Sequence, residues 1–346
     1  MKKILSIITL AVALFCFQIL HAQTNTPEYK IVTRIHLEGD GGWDYLTSDE
    51  MNDRIFVSHS NMVQVVDTKT NKLIGSIPAT GVHGIALAYE FNKGFISNGG
   101  NALVTVFNLK TFEVIGNIKV TGQNPDAILY DPYSKKVFAF NGRSSNATVI
   151  DAVGDSVVAT IGLAGKPEFA VTDNNGKVYV NIEDKNLVSV IYVKELKVGQ
   201  NWNIAPGEEA SGLDIDNSTH RLFAGCSNKL MVILNAENGK VITTLLIGEH
   251  CDGIKFDKGN NRAYSSNGDG TLTVVQEEAN DKYTVLENVP TQAGARTLAV
   301  DSKTHHIYLS VAEFGPTPQA TTDNPRPRRS VQSGTFTVLD VAPEKN

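Results

Sequence analysis

RIFVS (54–58), KGFIS (93–97), KVFAF (136–140), KVYVN (177–181), RLFAG (221–225), RAYSS (262–266) and HIYLS (306–310) align without gaps. Each opens on a basic residue, His306 standing in last, or carries one at its first position, and each has an aromatic at the third. The aromatic column is Phe56, Phe95, Phe138, Tyr179, Phe223, Tyr264 and Tyr308. A glycine precedes each segment by a similar distance: Gly42, Gly81, Gly122, Gly165, Gly207, Gly248 and, after a longer connection, Gly294. Behind each aromatic segment comes an alternating one: VQVVD, VTVFN, ATVID, VSVIY, MVILN, LTVVQ and FTVLD. Period-two alternation of this kind reads as a half-buried strand.

Working outward, each glycine leads into a strand that ends in Asp or a stand-in, and KLIGSI (72–77), EVIGNI (113–118) and KVITTLLI (240–247) supply a fourth strand. Four short strands at a period near 42 residues make an all-β, seven-bladed β-propeller with four-stranded blades. A single blade exposes two apolar faces that only its neighbours can bury, so the array must close. The seventh unit holds three strands, near 296–301, 306–311 and 334–340, and then the chain ends. The missing strand lies at the other terminus. YKIVTRIHL (29–37) has the fourth-strand pattern and is expected to pair in the last blade, which removes two open edges.

The chain has 346 residues, 41% hydrophobic, with a formal charge of −6. Lys2 and Lys3, the apolar run Ile4 to Leu20 and Ala22 together read as a cleavable signal peptide over 1–22. A membrane anchor is the rival reading, but the run is barely long enough and no basic cluster follows. Cleavage removes two lysines and no acid, which takes the charge from −6 to −8 and leaves 23–346 as one propeller domain. An acidic protein has no general attraction to phosphate backbones, so nucleic acid is not an expected partner. A periplasmic or secreted location is expected.

KVYVNIEDKNLVSVIYVKE (177–195) resembles the YVTN repeat of bacterial and archaeal seven-bladed propellers. AYSSNGDGTLTVV (263–275) and GFISNGGNALVTVF (94–107) are looser copies, while SHSNMVQVV (58–66) and GCSNKLMVI (225–233) depart from it. The resemblance implies an extracytoplasmic protein of the surface-layer or periplasmic type. Its members are mostly described as binding proteins without a common activity.

First strands line the channel of a propeller. Aligned by their terminal Asp, they place Asp44, His83, Asp126, Glu168, Ser211, Asp252 and Arg296 at the channel mouth, one per blade. The turns between second and third strands add His59, Asn98, Asn141, Arg143, Glu183, Asp184, Asp269 and Glu313 on that face. Trp43 and Tyr45 flank Asp44, either to stack a flat ligand or to pack between blades. The leading expectation is a binding or scaffold protein that takes a small molecule or an extracytoplasmic protein partner at this mouth. The alternative is a divalent-metal-assisted hydrolase or lyase, as in other propellers, with Ca²⁺ or Mg²⁺ on Asp126, Glu168 and Asp252 and His83 as base. A polar lining of a water-filled channel is the plain reading of the same residues. No haem motif supports a redox role. Cys226 and Cys251, in adjacent blades, are open between a disulfide, a metal site with His250, and two buried thiols. The long connection 315–333, GPTPQATTDNPRPRRSVQS, carries Arg326, Arg328 and Arg329 and reads as a lid, a docking loop or a mobile insertion.

Overall fold

The computed structural model describes residues 29–279, 281–319, 321 and 329–344. They form seven four-stranded antiparallel sheets around one axis. Six blades follow in sequence over residues 43–78, 82–119, 125–162, 167–203, 210–246 and 251–290. The seventh combines Leu298–Asp301, His306–Val311 and Thr337–Pro343 with Tyr29–His36 as its outermost strand. The first strand of each blade is innermost. Each lies against the first strand of the next, and the last lies against the first. The seven-bladed architecture and its closure by the amino-terminal strand are therefore as the repeat requires. The signal segment expected at 1–22 lies outside the described residues, as do Arg326 and Arg328.

The aromatic column explains why the blades adhere. All seven rings are under 2% exposed, and Phe56, Tyr179, Phe223 and Tyr264 pack on the next blade or on their own outer strand. Phe56 meets Phe107 of blade two at 5.7 Å, and Phe223 stacks on Phe256 of blade six at 5.2 Å. Burial of one such side chain contributes about 1.5–3 kcal/mol. Trp202, in the outer strand of blade four, packs on Tyr179 at 5.7 Å.

The aspartates that end the first strands sit at the far end of the channel and are structural. Asp131 accepts from the Ser134 amide at 2.9 Å and from Thr172 of the next blade at 2.5 Å. Asp257 takes the His305 imidazole at 2.7 Å, again from the following blade. Buried carboxylates satisfied in this way fix the turn and stitch neighbouring blades together. They leave the opposite face free for other chemistry.

Candidate functional site

One backbone device, absent from any alignment of residues, builds the mouth. In six blades the pairing of first and second strands slips between Trp43 and Leu46, Val82 and Ile85, Pro125 and Ile128, Pro167 and Ala170, Ala210 and Leu213, and Cys251 and Gly253. Each slip is a bulge that adds one residue, and it holds the mouth residue of its blade. A bulge re-aims side chains, so two adjacent residues can face the channel where a regular strand would present one. The bulged backbone is held from the preceding blade. Thr297 and Ser310 donate to the Asp44 carbonyl, Ser97 to that of Asp126, Asn181 to that of Ser211 at 2.9 Å, and Ser266 to that of Arg296 at 2.6 Å.

The seven mouth side chains meet around one opening. His83 Nδ1 is 2.5 Å from the Asp44 carboxylate and 3.6 Å from that of Asp126. Ser211 Oγ donates to Asp252 at 2.7 Å and lies 3.4 Å from Glu168. Arg296 pairs with Asp252 through one nitrogen and stands 3.8 Å from Asp44 with the other. The chain of contacts has one break. Among the described residues no hydrogen bond joins Asp126 to Glu168; the two carboxyls repel, and Lys166, paired with Glu168, is the cation whose charge reaches both. Burial, with the charge of Asp44 added, pushes the Asp126 carboxyl up to about 6. Burial and the Asp126 charge push Glu168 up to about 7 against the pull of Lys166. Burial works to lower His83, but the Asp44 hydrogen bond and the charges of Asp126, Asp44 and Glu168 prevail and raise it.

Two participants, Lys166 and Phe169, escaped the sequence reading, and Tyr45, whose role it left open between stacking and packing, joins them. Lys166 reaches Glu168 at 2.7 Å and also pairs with Glu183. Tyr45 of blade one and Phe169 of blade four stack across the axis at 4.4 Å between centroids and floor the mouth. The Tyr45 hydroxyl is buried without a hydrogen-bond partner among the described residues. It lies where the charges of Asp126, Glu168 and Asp44 act on it, and burial and those charges raise its pKa. An aromatic directly after an acid in a first strand was the available signal. Without the bulge, alternation would have turned one of the two away. Beneath this floor a cavity of about 480 Å³ continues toward the opposite face, walled by residues such as Leu46, Ile85, Ala86, Ala127 and Ile128. It lies apart from the charged groups.

Several expected site residues stand elsewhere. Trp43 packs on Phe314 and Phe336 of blade seven at 5.6 and 6.0 Å, so its ring faces are engaged in closing the molecule. His59 is buried, stacked on Phe336 at 3.9 Å and bonded to Gln64. Asn98 and Asn141 are buried within their blades, where they bond Thr105 and Thr148. Glu313 is exposed at the start of the long connection, its amide donating to Thr335 at 3.0 Å. The trio Asp126, Glu168 and Asp252 does not gather. Glu168 is drawn to Lys166 and Asp252 to Arg296, whereas Asp44, His83 and Asp126 bring their donor atoms within 4.8 Å of one another. Of the three readings left open for Cys226 and Cys251, the structure has two free, buried thiols. Burial pushes the Cys226 thiol up to about 12 and raises that of Cys251 as well, which disfavours the thiolate. In the long connection, Phe314 bridges to Val331 and Arg329 lies 4.7 Å from the Phe314 ring, which pins its two ends beside Trp43.

No protein-family model and no curated protein matches the sequence. Solved structures do. Hydrazine synthase of Kuenenia stuttgartiensis is similar at 17% identity and a TM-score of 0.67, over 79% of this chain and 94% of that one. The WD40 repeats of RRP9 are similar at 9% identity and a TM-score of 0.73, over 91% of this chain and all of that one. At such identities the likeness is one of fold: the chain is a seven-bladed β-propeller.

Proposed function

We propose that this is an exported propeller of the YVTN-repeat kind that binds, in its polar mouth, a ligand carrying positive charge. Export is supported by the apolar stretch over 1–22 and by the repeat resemblance in 177–195. The observation that carries the binding reading is the pair Asp126 and Glu168, two largely buried carboxyls in adjacent blades whose charges repel and which share no hydrogen bond at the break in the ring. A channel that only held water would be more stable with a neutral residue at either position, because burying like charges together is costly. A cation placed between the acids offsets that cost. Lys166 and Arg296, each nearly half exposed at the rim, can engage an anionic part of the same ligand.

The test is a thermal-shift and calorimetric screen with putrescine, arginine and choline as probes. It compares the wild-type protein with Asp126→Ala/Glu168→Ala/Arg296→Ala. At least one probe should raise the wild-type melting temperature. The triple variant should melt within a few degrees of the wild type and show no shift. Unfolding of the triple variant would make the ring structural and end this reading.

A further inference from the structure

We propose that Asp44, His83 and Asp126 form a site for a divalent first-row transition ion such as Zn²⁺ or Mn²⁺, with the Tyr45 phenol below as a further oxygen donor. The ion would be the positive charge that the mouth accepts, so this assignment rests on the preceding one.

Four observations converge on it. The three donor groups come from three consecutive blades, and their donor atoms lie within 4.8 Å of one another. Ligands about 2.0–2.2 Å from a shared ion stand at similar mutual distances after small side-chain rotations. The Asp126 carboxylate receives no hydrogen bond among the described residues; its nearest opposite partner is the imidazole at 3.6 Å. The Tyr45 hydroxyl is an independent sign. The residue is 8% exposed, its oxygen has no partner among the described residues, and the charges of Asp44, Asp126 and Glu168 act on it. A buried hydroxyl left without a partner among acids whose charges act on it suits a group completed by something bound. Finally, the imidazole is seated tightly. A methyl group on Gly99 would stand 2.6 Å from His83 Nε2, so the position admits glycine and the ring together.

The donor set selects the class of ion. Ca²⁺ takes six to eight oxygen ligands. One imidazole nitrogen with two carboxylates is the chemistry of Zn²⁺, Mn²⁺ and their neighbours. The three side chains retain 16–27% exposure toward the opening, which gives an ion a path in and leaves a coordination position open to water or ligand. The fixed carbonyls of Asp44 and Asp126 hold two of the three ligands on rigid backbone.

The experiment uses tag-free, chelator-treated protein titrated with ZnCl₂ and with MnCl₂ at pH 7.5 by calorimetry. One saturable site per chain is expected for at least one ion. Asp126→Asn and His83→Gln should each weaken it at least tenfold, and Tyr45→Phe by a smaller factor. His36→Gln, at an exposed histidine of the outer strand, should leave it unchanged. Should a variant fail to fold, Mn²⁺-induced broadening of NMR signals in the wild type must centre on residues 44, 83 and 126. Absence of saturable binding by both ions overturns the site, and so does wild-type affinity in Asp126→Asn and His83→Gln or broadening centred elsewhere. If the ions fail while an organic cation still binds and the triple variant loses it, the metal site falls and the mouth reading stands.

Discussion

Burial raises the pKa of two acids of the mouth, whereas the buried aspartates at the far end, such as Asp131, are satisfied by hydrogen bonds. Glu168 binds its proton more tightly in the folded chain than in the unfolded one, and so does Asp126. The sign follows by linkage. Below about pH 4.5 both states carry the Glu168 proton and the group contributes nothing to pH dependence. As the pH rises toward 7 the unfolded chain loses the proton first, so stability falls across that window and stays lower above it. His83, whose pKa is raised, adds to the same trend, because its contribution is present at low pH and lost as pH rises. Glu168→Gln removes the acid's penalty. Chemical denaturation should show the variant more stable than wild type by roughly 1–3 kcal/mol at pH 7.5 and equal to it near pH 4. An equal offset at both values would mean that the change acts through packing. The column containing Glu168 was legible from residues alone, because the terminal Asp of each first strand gives a fixed origin for counting. Lys166 was not, and Tyr45 was legible only as a ring beside Asp44, its direction left open. A lysine two positions before an acid in a turn has no fixed direction in a sequence, and Tyr45 faces the channel only because a bulge puts it there.

At the scale of the strand, those bulges recur at both margins of the blades. Inner pairs slip at the mouth, and outer pairs slip midway, as between Val65 and Val66, Val106 and Phe107, or Val149 and Ile150. The outer slips twist the exposed fourth strands, which discourages pairing with another chain. The alternation of apolar residues revealed the strands, but the slips are set by contacts between blades and leave no periodic mark. Glycines where blades touch carry part of that contact. A Cβ on Gly212 would stand 2.5 Å from the Ile254 nitrogen and 2.7 Å from the Gly253 carbonyl carbon, both backbone atoms of blade six that cannot turn aside. Gly212→Ala should therefore destabilise the protein by about 1–3 kcal/mol. Gly116, in an outer strand with nothing within 4 Å of its Cβ position, supplies the contrast. Gly116→Ala should be neutral or stabilising by a few tenths of a kcal/mol. Matching melting curves for the two variants would show that blade contact does not depend on close backbone approach at Gly212.

For the whole molecule the decisive act is closure. Seven four-stranded wedges are complete only if the strand that begins the described chain joins the blade that ends it. Tyr29–His36 pairs along Thr337–Pro343, with Tyr29, Ile35 and the following Leu37 buried. Its first residue is tied to blade six as well. The Tyr29 hydroxyl meets that of Tyr264 at 2.8 Å and accepts from Arg262 at 2.9 Å, and its amide donates to Glu287 at 3.0 Å. The seam thus joins blades six and seven, and through Trp43 on Phe336 it reaches blade one. Three buried side chains at about 1.5–3 kcal/mol each exceed 4 kcal/mol in sum, a large part of the 5–15 kcal/mol by which a folded protein is held. A chain starting at Gly39 should therefore lose its single cooperative thermal transition and associate through the bared edge of 337–343. A synthetic peptide of residues 29–38 added in excess should restore the transition. Within the intact chain, Ile35→Ala should cost roughly 2–5 kcal/mol, whereas Val32→Ala, at a side chain 44% exposed, should change little. A shortened chain that melts as the full one does would show that the ring is held by its wedges alone. The mouth would then owe its shape to contacts between neighbouring blades, not to a sealed circle.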